Sequence, residues 1–205
     1  MDLISVALKG GYLMSILFVI SVIAVAIFIE RWITAKKALK FEQKTFFEIL
    51  KLIDQKQAVE AAKICKLSNI SVCKVMEQGL QNAESDTLLA QETIEQSANQ
   101  FIRGLEKNIN TISTFAAVAP LIGFLGTVTG MIRVFFQIQQ SEVGVDIQIL
   151  AGGIWEALIT TVGGLIVGII CIVLHNFLIN KIEAVAFLVE EKISQVSLHL
   201  RRIQK

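Results

Sequence analysis

The chain has 205 residues, 54% of them apolar and 18% charged, with a net charge of +1 and a mean hydropathy of +0.63. Charge this sparse and balanced excludes a basic nucleic-acid surface and an acidic disordered tail. Three cysteines and a single proline, Pro120, exclude a disulfide-rich module and a Pro-rich linker. The apolar residues are also bunched into runs, unlike those of an ordinary soluble enzyme.

The first run, Gly10 to Ile29, reads GGYLMSILFVISVIAVAIFI and holds no ionisable group but its tyrosine. About 20 helical residues at ~1.5 Å each cross a ~30 Å hydrocarbon layer, so residues 10–30 are expected to form transmembrane helix 1. Ala24 and Ala26 resemble a signal-cleavage pair. Against cleavage, Asp2 and Lys9 precede the run, whereas Arg31, Lys36, Lys37 and Lys40 follow it. Basic residues trailing a span predict a retained helix with residues 1–9 outside, in the periplasm. Residues 31–107 carry twelve of the nineteen Lys and Arg residues and read as a cytoplasmic helical loop. Turns are expected at Asn69–Ser71 and Ala83–Asp86. Ile94, Ala98, Phe101, Leu105, Ile109 and Ile112 recur every three or four residues, predicting a helix that runs unbroken into the second span.

The second run, Asn108 to Ile132, is free of charge and predicts transmembrane helix 2 over residues 108–136. A periplasmic connection follows over 137–147, and Val134 to Gln148 contains no Lys or Arg. Transmembrane helix 3 is expected over 148–180, where Ala157 to Asn180 is again uncharged. Residues 181–205 form the cytoplasmic C-terminal helix. There Ile182, Ala186, Val189, Ile193, Val196, Leu200 and Ile203 alternate by four and three, a 3.5-residue repeat. Such a seam either packs on its own loop or meets another subunit, and the regularity favours the second. The expected fold is an all-α integral membrane protein with three transmembrane helices and long helical cytoplasmic extensions.

Few residues suit chemistry. Cys65, Cys73 and Cys171 form no CxxC motif, and His175 and His199 lie far from matching ligands, so metal binding is not expected and the cysteines read as reduced and structural. Gly123, Gly126, Gly130, Gly164 and Gly168 lie in spans, where small residues admit close helix contact. Glu156 stands out. A carboxylate within a span costs on the order of 2.5–3.5 kcal/mol, so it either faces an interior polar path or snorkels to the outer surface. Thr160, four residues on, shares its helical face, whereas Thr161 sits ~140° away. Thr127, Thr129, Thr111 and Thr114 add hydroxyls along the second span.

Two motifs carry a resemblance. APLIGFLGTVTGMI (Ala119 to Ile132), then GIWEALITTVGGL (Gly153 to Leu165) and His175-Asn176, are similar to the MotA/TolQ/ExbB proton-channel family, in its three-span TolQ/ExbB branch. The resemblance implies a homopentamer enclosing two chains of an ExbD/TolR-like single-span partner, whose membrane aspartate is essential. It places Thr127 and Thr161 on the pore and matches Glu156 to the family's third-span acid, with no counterpart here for the aspartate. The family's AIP and YN are replaced by Gly168-Ile-Ile170 and His175-Asn176, which puts a kink in the third helix in doubt.

The function so implied is the channel or stator subunit of a bacterial inner-membrane motor rather than an enzyme. It would bind no cofactor, use H⁺ (or Na⁺) as coupling ion, and energise outer-membrane transport or envelope processes through a TonB- or TolA-like protein. A non-conducting scaffold and a solute-transporter permease subunit are the alternatives.

Overall fold

The computed structural model describes residues 11–140 and 147–203, without the side chains of Ile149 and Ile203. The expected periplasmic segment 1–9, Gly10, most of the 137–147 connection and the last seam position, Ile203, therefore lie outside the described residues or side chains. Seven α-helices and no strand occur among the described residues: α1 (Gly11–Ala38), α2 (Gln43–Asp54), α3 (Ala58–Leu67), α4 (Ser71–Asn82), α5 (Thr87–Glu106), α6 (Ile109–Gln140) and α7 (Ile147–Ile203). Three helical stretches, carried by α1, α6 and α7, are long and apolar enough to cross a membrane. Only a helix or a closed barrel satisfies its own backbone in lipid, and these are helices. The protein is an all-α membrane protein.

Two compact units divide the described chain. One takes in α1 up to Ile29, α6 and its Asn108 lead-in, and α7 up to Phe177. Its inward α1 residues, Leu13, Leu17, Ile20 and Ala24, recur at helical spacing and are at most 9% exposed. Large apolar side chains elsewhere on the same helices, such as Phe18, Phe124 and Ile169, are exposed by 60% or more. In water that would be a liability; in a bilayer it is the expected surface.

The other unit comprises residues 30–107 and, among the described residues, 178–203. Its core is built from Ile49, Ile53, Met76, Leu80 and Ile94, all fully buried. Asp86 caps α5, its carboxylate accepting from the Leu88 and Leu89 amides at 2.9 and 3.0 Å. On α7, Lys192 lies over the Phe41 and Phe46 rings at 5.0 and 5.5 Å. His199 Nδ1 meets Asp54 Oδ1 at 2.6 Å. Ile94→Ala leaves a cavity and is expected to cost roughly 2–5 kcal/mol. Asp86→Ala, losing only a cap, should cost about 1 kcal/mol. Thermal unfolding of the purified chain checks that order.

Two sequence expectations are corrected. The helix predicted to run unbroken into the second span stops at Glu106 and restarts at Ile109. Lys107 leaves helical geometry, with φ −53° and ψ 134°, and Asn108 takes a left-handed φ of 65°, which asparagine tolerates better than most residues. Apolar spacing continued across the joint because both helices bury residues there, Leu105 and Ile109. The tail seam is also not an open subunit surface. Ile182, Val189, Ile193, Val196 and Leu200 are buried within their own unit, with Val185 beside them. The repeat was legible, but its partner is the chain's own loop helices. Through Gly168-Ile-Ile170 the helix α7 continues without interruption, since no proline removes a main-chain donor there.

Candidate functional site

Helices α6 and α7 meet along a stripe of small residues. Ala119, Gly123 and Gly126 are buried on α6, and Ala157, Thr160, Gly164 and Gly168 on α7. Gly164 marks the closest main-chain approach. A Cβ there would stand 2.6 Å from the Ala119 carbonyl oxygen and 2.8 Å from Gly123 Cα, so the two backbones touch. Further along, a Cβ at Gly168 would lie 2.7 Å from the Pro120 ring, one at Gly126 2.5 Å from Thr160 Cγ2, and one at Gly130 2.8 Å from Ala157 Cβ. Pro120 itself lies within α6, and its ring helps form this surface.

The close contact determines what the threonines do. Thr127 donates to the Phe124 carbonyl at 2.7 Å and Thr129 to the Leu125 carbonyl at 2.9 Å, both on their own helix. Thr160 does the same, donating to the Glu156 carbonyl at 2.9 Å, and is only 2% exposed. Such back-bonding is the usual fate of a hydroxyl in a membrane helix. Thr161 differs: its hydroxyl crosses to the Gly123 carbonyl of α6 at 2.8 Å. Proximity to Glu156 along the sequence favoured Thr160, yet Thr161 is the one that bridges the spans. Thr127 and Thr161 are both partly exposed. Each hydroxyl directs its one proton at a main-chain oxygen and keeps lone pairs for a water or a cation.

Glu156 is half-buried and paired. Its Oε1 lies 3.4 Å from Nη1 of Arg133, with the two side chains 34% and 57% exposed. Sequence reading did not single out Arg133, although a usable signal existed. It lies seven residues before the end of α6, and Glu156 nine after the start of α7. Residues about equally far from the turn of a helical hairpin come opposite each other.

The other polar groups are dispersed. His175 Nδ1 lies 3.4 Å from Asn176 Oδ1. Among the described residues no group of three or more His, Cys, Asp or Glu side chains could hold a metal ion. Cys65 and Cys73 are free and buried, and they interact. Cys65 donates to the Cys73 sulfur, which brings Cys73 down to about 7. The same bond, with burial, pushes Cys65 up. The absence of a CxxC motif hid this pair, because a turn between α3 and α4 brings the two positions together.

Comparison with known proteins adds a family. The profile of the MotA/TolQ/ExbB proton channel family matches residues 68–191, more than half of the chain, including all of the α6–α7 contact. An ExbB-like biopolymer transport protein of Synechocystis sp. is 28% identical over 197 residues, covering 95% of this chain and 93% of that protein. The biopolymer transport protein ExbB of Neisseria gonorrhoeae is 36% identical over 85 residues, 42% of this chain and 38% of its own length. The Tol-Pal system protein TolQ of Haemophilus influenzae is 34% identical over 87 residues, with the same two coverages.

Proposed function

We propose that this chain, which belongs to the MotA/TolQ/ExbB proton channel family, is the channel-forming subunit of an ion-driven motor in the bacterial inner membrane. The observation that carries the reading is the Thr161 hydroxyl bridging to the Gly123 carbonyl at 2.8 Å. It joins the two motifs, APLIGFLGTVTGMI and GIWEALITTVGGL, by a polar link between two largely apolar helices. Thr127, Thr161 and Glu156, with Thr160 beside them, are the residues assigned to the ion path. Pro120, Gly123, Gly126, Gly130, Gly164 and Gly168 are assigned to the packing that sets its width.

In this reading five copies surround two chains of an ExbD/TolR-like single-span protein. A proton (Na⁺ being the second candidate) moves down its gradient and reaches the partner's membrane aspartate at the interface. Each charge crossing the membrane releases about 2.3 kcal/mol per 100 mV. The relative motion it drives is passed to a TonB- or TolA-like protein and so to the outer membrane. The N-terminus lies in the periplasm and the C-terminus in the cytoplasm. The chain conducts poorly alone because the essential acid is the partner's.

The test is the mass of the detergent-extracted complex and its proton flux in vesicles, each with and without a co-expressed ExbD/TolR-like single-span protein. Five copies holding two partner chains, with flux only when both are present, is the expected result. A monomer or dimer indifferent to that protein would overturn the reading and favour the scaffold or the permease.

A further inference from the structure

We propose that Arg133 is a positioning residue: its guanidinium holds the Glu156 carboxylate in place across α6 and α7, and ion flow depends on that pair rather than on a lone carboxyl at 156. The inference rests on the channel reading above. Its geometry is independent of it.

Three helices converge on this carboxylate. Arg133 Nη1 approaches Oε1 from α6 at 3.4 Å. From the start of α1 comes Gly11, whose φ of +67° suits glycine, and a Cβ there would lie 2.7 Å from the same oxygen. The hydroxyls nearby have other acceptors. Thr129 donates to the Leu125 and Gly126 carbonyls, and Thr160 to the Glu156 main-chain oxygen. Among the described residues Arg133 is the cation that meets Glu156, and Tyr12 is the third titratable group around the cavity they share. That cavity measures about 20 Å³, room for a single water. A charged side chain in a span is expensive, and an opposite charge offsets the expense only while both are present. Removing either leaves the other without its counter-charge, so the two positions should behave as one unit.

The experiment uses the chain reconstituted with its single-span partner, purified intact as the control for folding, and measures proton flux under an imposed gradient. Arg133→Gln and Glu156→Gln should each lower flux about tenfold, and the double variant should fall no further, as expected for strongly coupled residues. Arg133→Lys should keep most of the flux, and the exchange Arg133→Glu with Glu156→Arg should recover part of it. Wild-type flux in Arg133→Gln beside a silent Glu156→Gln would overturn the proposal, because the carboxyl would then act alone. Losses that multiply in the double variant would overturn it too. A silent wild-type complex would instead sink the channel reading. The pair would then be judged by the thermal midpoints of the wild type, the two glutamine variants and their double variant: non-additive shifts would uphold it, and additive ones would reject it.

Discussion

Thr161→Val is expected to abolish proton flux through the complex, while Thr161→Ser retains most of it. Valine matches threonine in shape but carries neither the proton that reaches the Gly123 carbonyl at 2.8 Å nor the lone pairs left over. The lost bond by itself would cost about 1 kcal/mol, too little to dismantle the helix pair. The assembled complex should therefore purify normally and capture its partner, yet fail to conduct. Thr127→Val should resemble it in flux. Its hydroxyl bonds back to Phe124, so no link between the spans is lost. Undiminished flux in both valine variants would remove the threonines from the ion path. Loss of assembly in Thr161→Val alone would make that hydroxyl a structural clamp.

Gly164→Leu should act at an earlier stage, on the complex itself. The atoms a new Cβ would meet are the Ala119 carbonyl oxygen and the Cα and nitrogen of Gly123, all main chain and none beyond 3.0 Å. No rotamer change relieves such a contact, so α6 and α7 must separate. Overpacking in a well-packed interior costs typically about 1–3 kcal/mol, and more where backbone must move. The expected outcome is loss of the detergent-stable oligomer, read from its mass. Gly152→Leu is the matched control in the same helix, since nothing lies within 4 Å of a Cβ there. Equal behaviour of the two variants would show that the close approach at Gly164 is dispensable.

The spans were legible because charge is excluded from hydrocarbon more strictly than any other pattern is imposed on a sequence. The turn at Ala83–Asp86 likewise falls between α4 and α5, and that at Asn69–Ser71 lies between α3 and α4 but for Ser71, which opens α4. The interruption at Lys107 and Asn108 was not legible. A single left-handed residue leaves the three-and-four spacing of Leu105, Ile109 and Ile112 intact, so periodicity passes straight over it. Nor could periodicity identify what the tail packs against, because a 3.5-residue seam looks the same facing a sister chain or its own loop. Within the site, the motifs pointed to Thr161 where helical proximity pointed to Thr160. Thr160 does lie beside Glu156, but one helix alone could not reveal the Gly123 acceptor of Thr161, which lies on another. Arg133 was missed for a related reason: its meaning appears only when two helices are laid side by side.

The directions of two hydroxyl protons also bear on what the proposed path refuses. Thr127 and Thr161 each own one O–H, and both protons are committed to carbonyl oxygens. A chloride ion shedding its hydration water would need donors to replace that water, and these side chains have none left to give. Hydronium and Na⁺ need acceptors, which the same two side chains present. Discrimination between anions and cations at this level of the membrane would thus require no charged ring, only two hydroxyls turned towards the backbone.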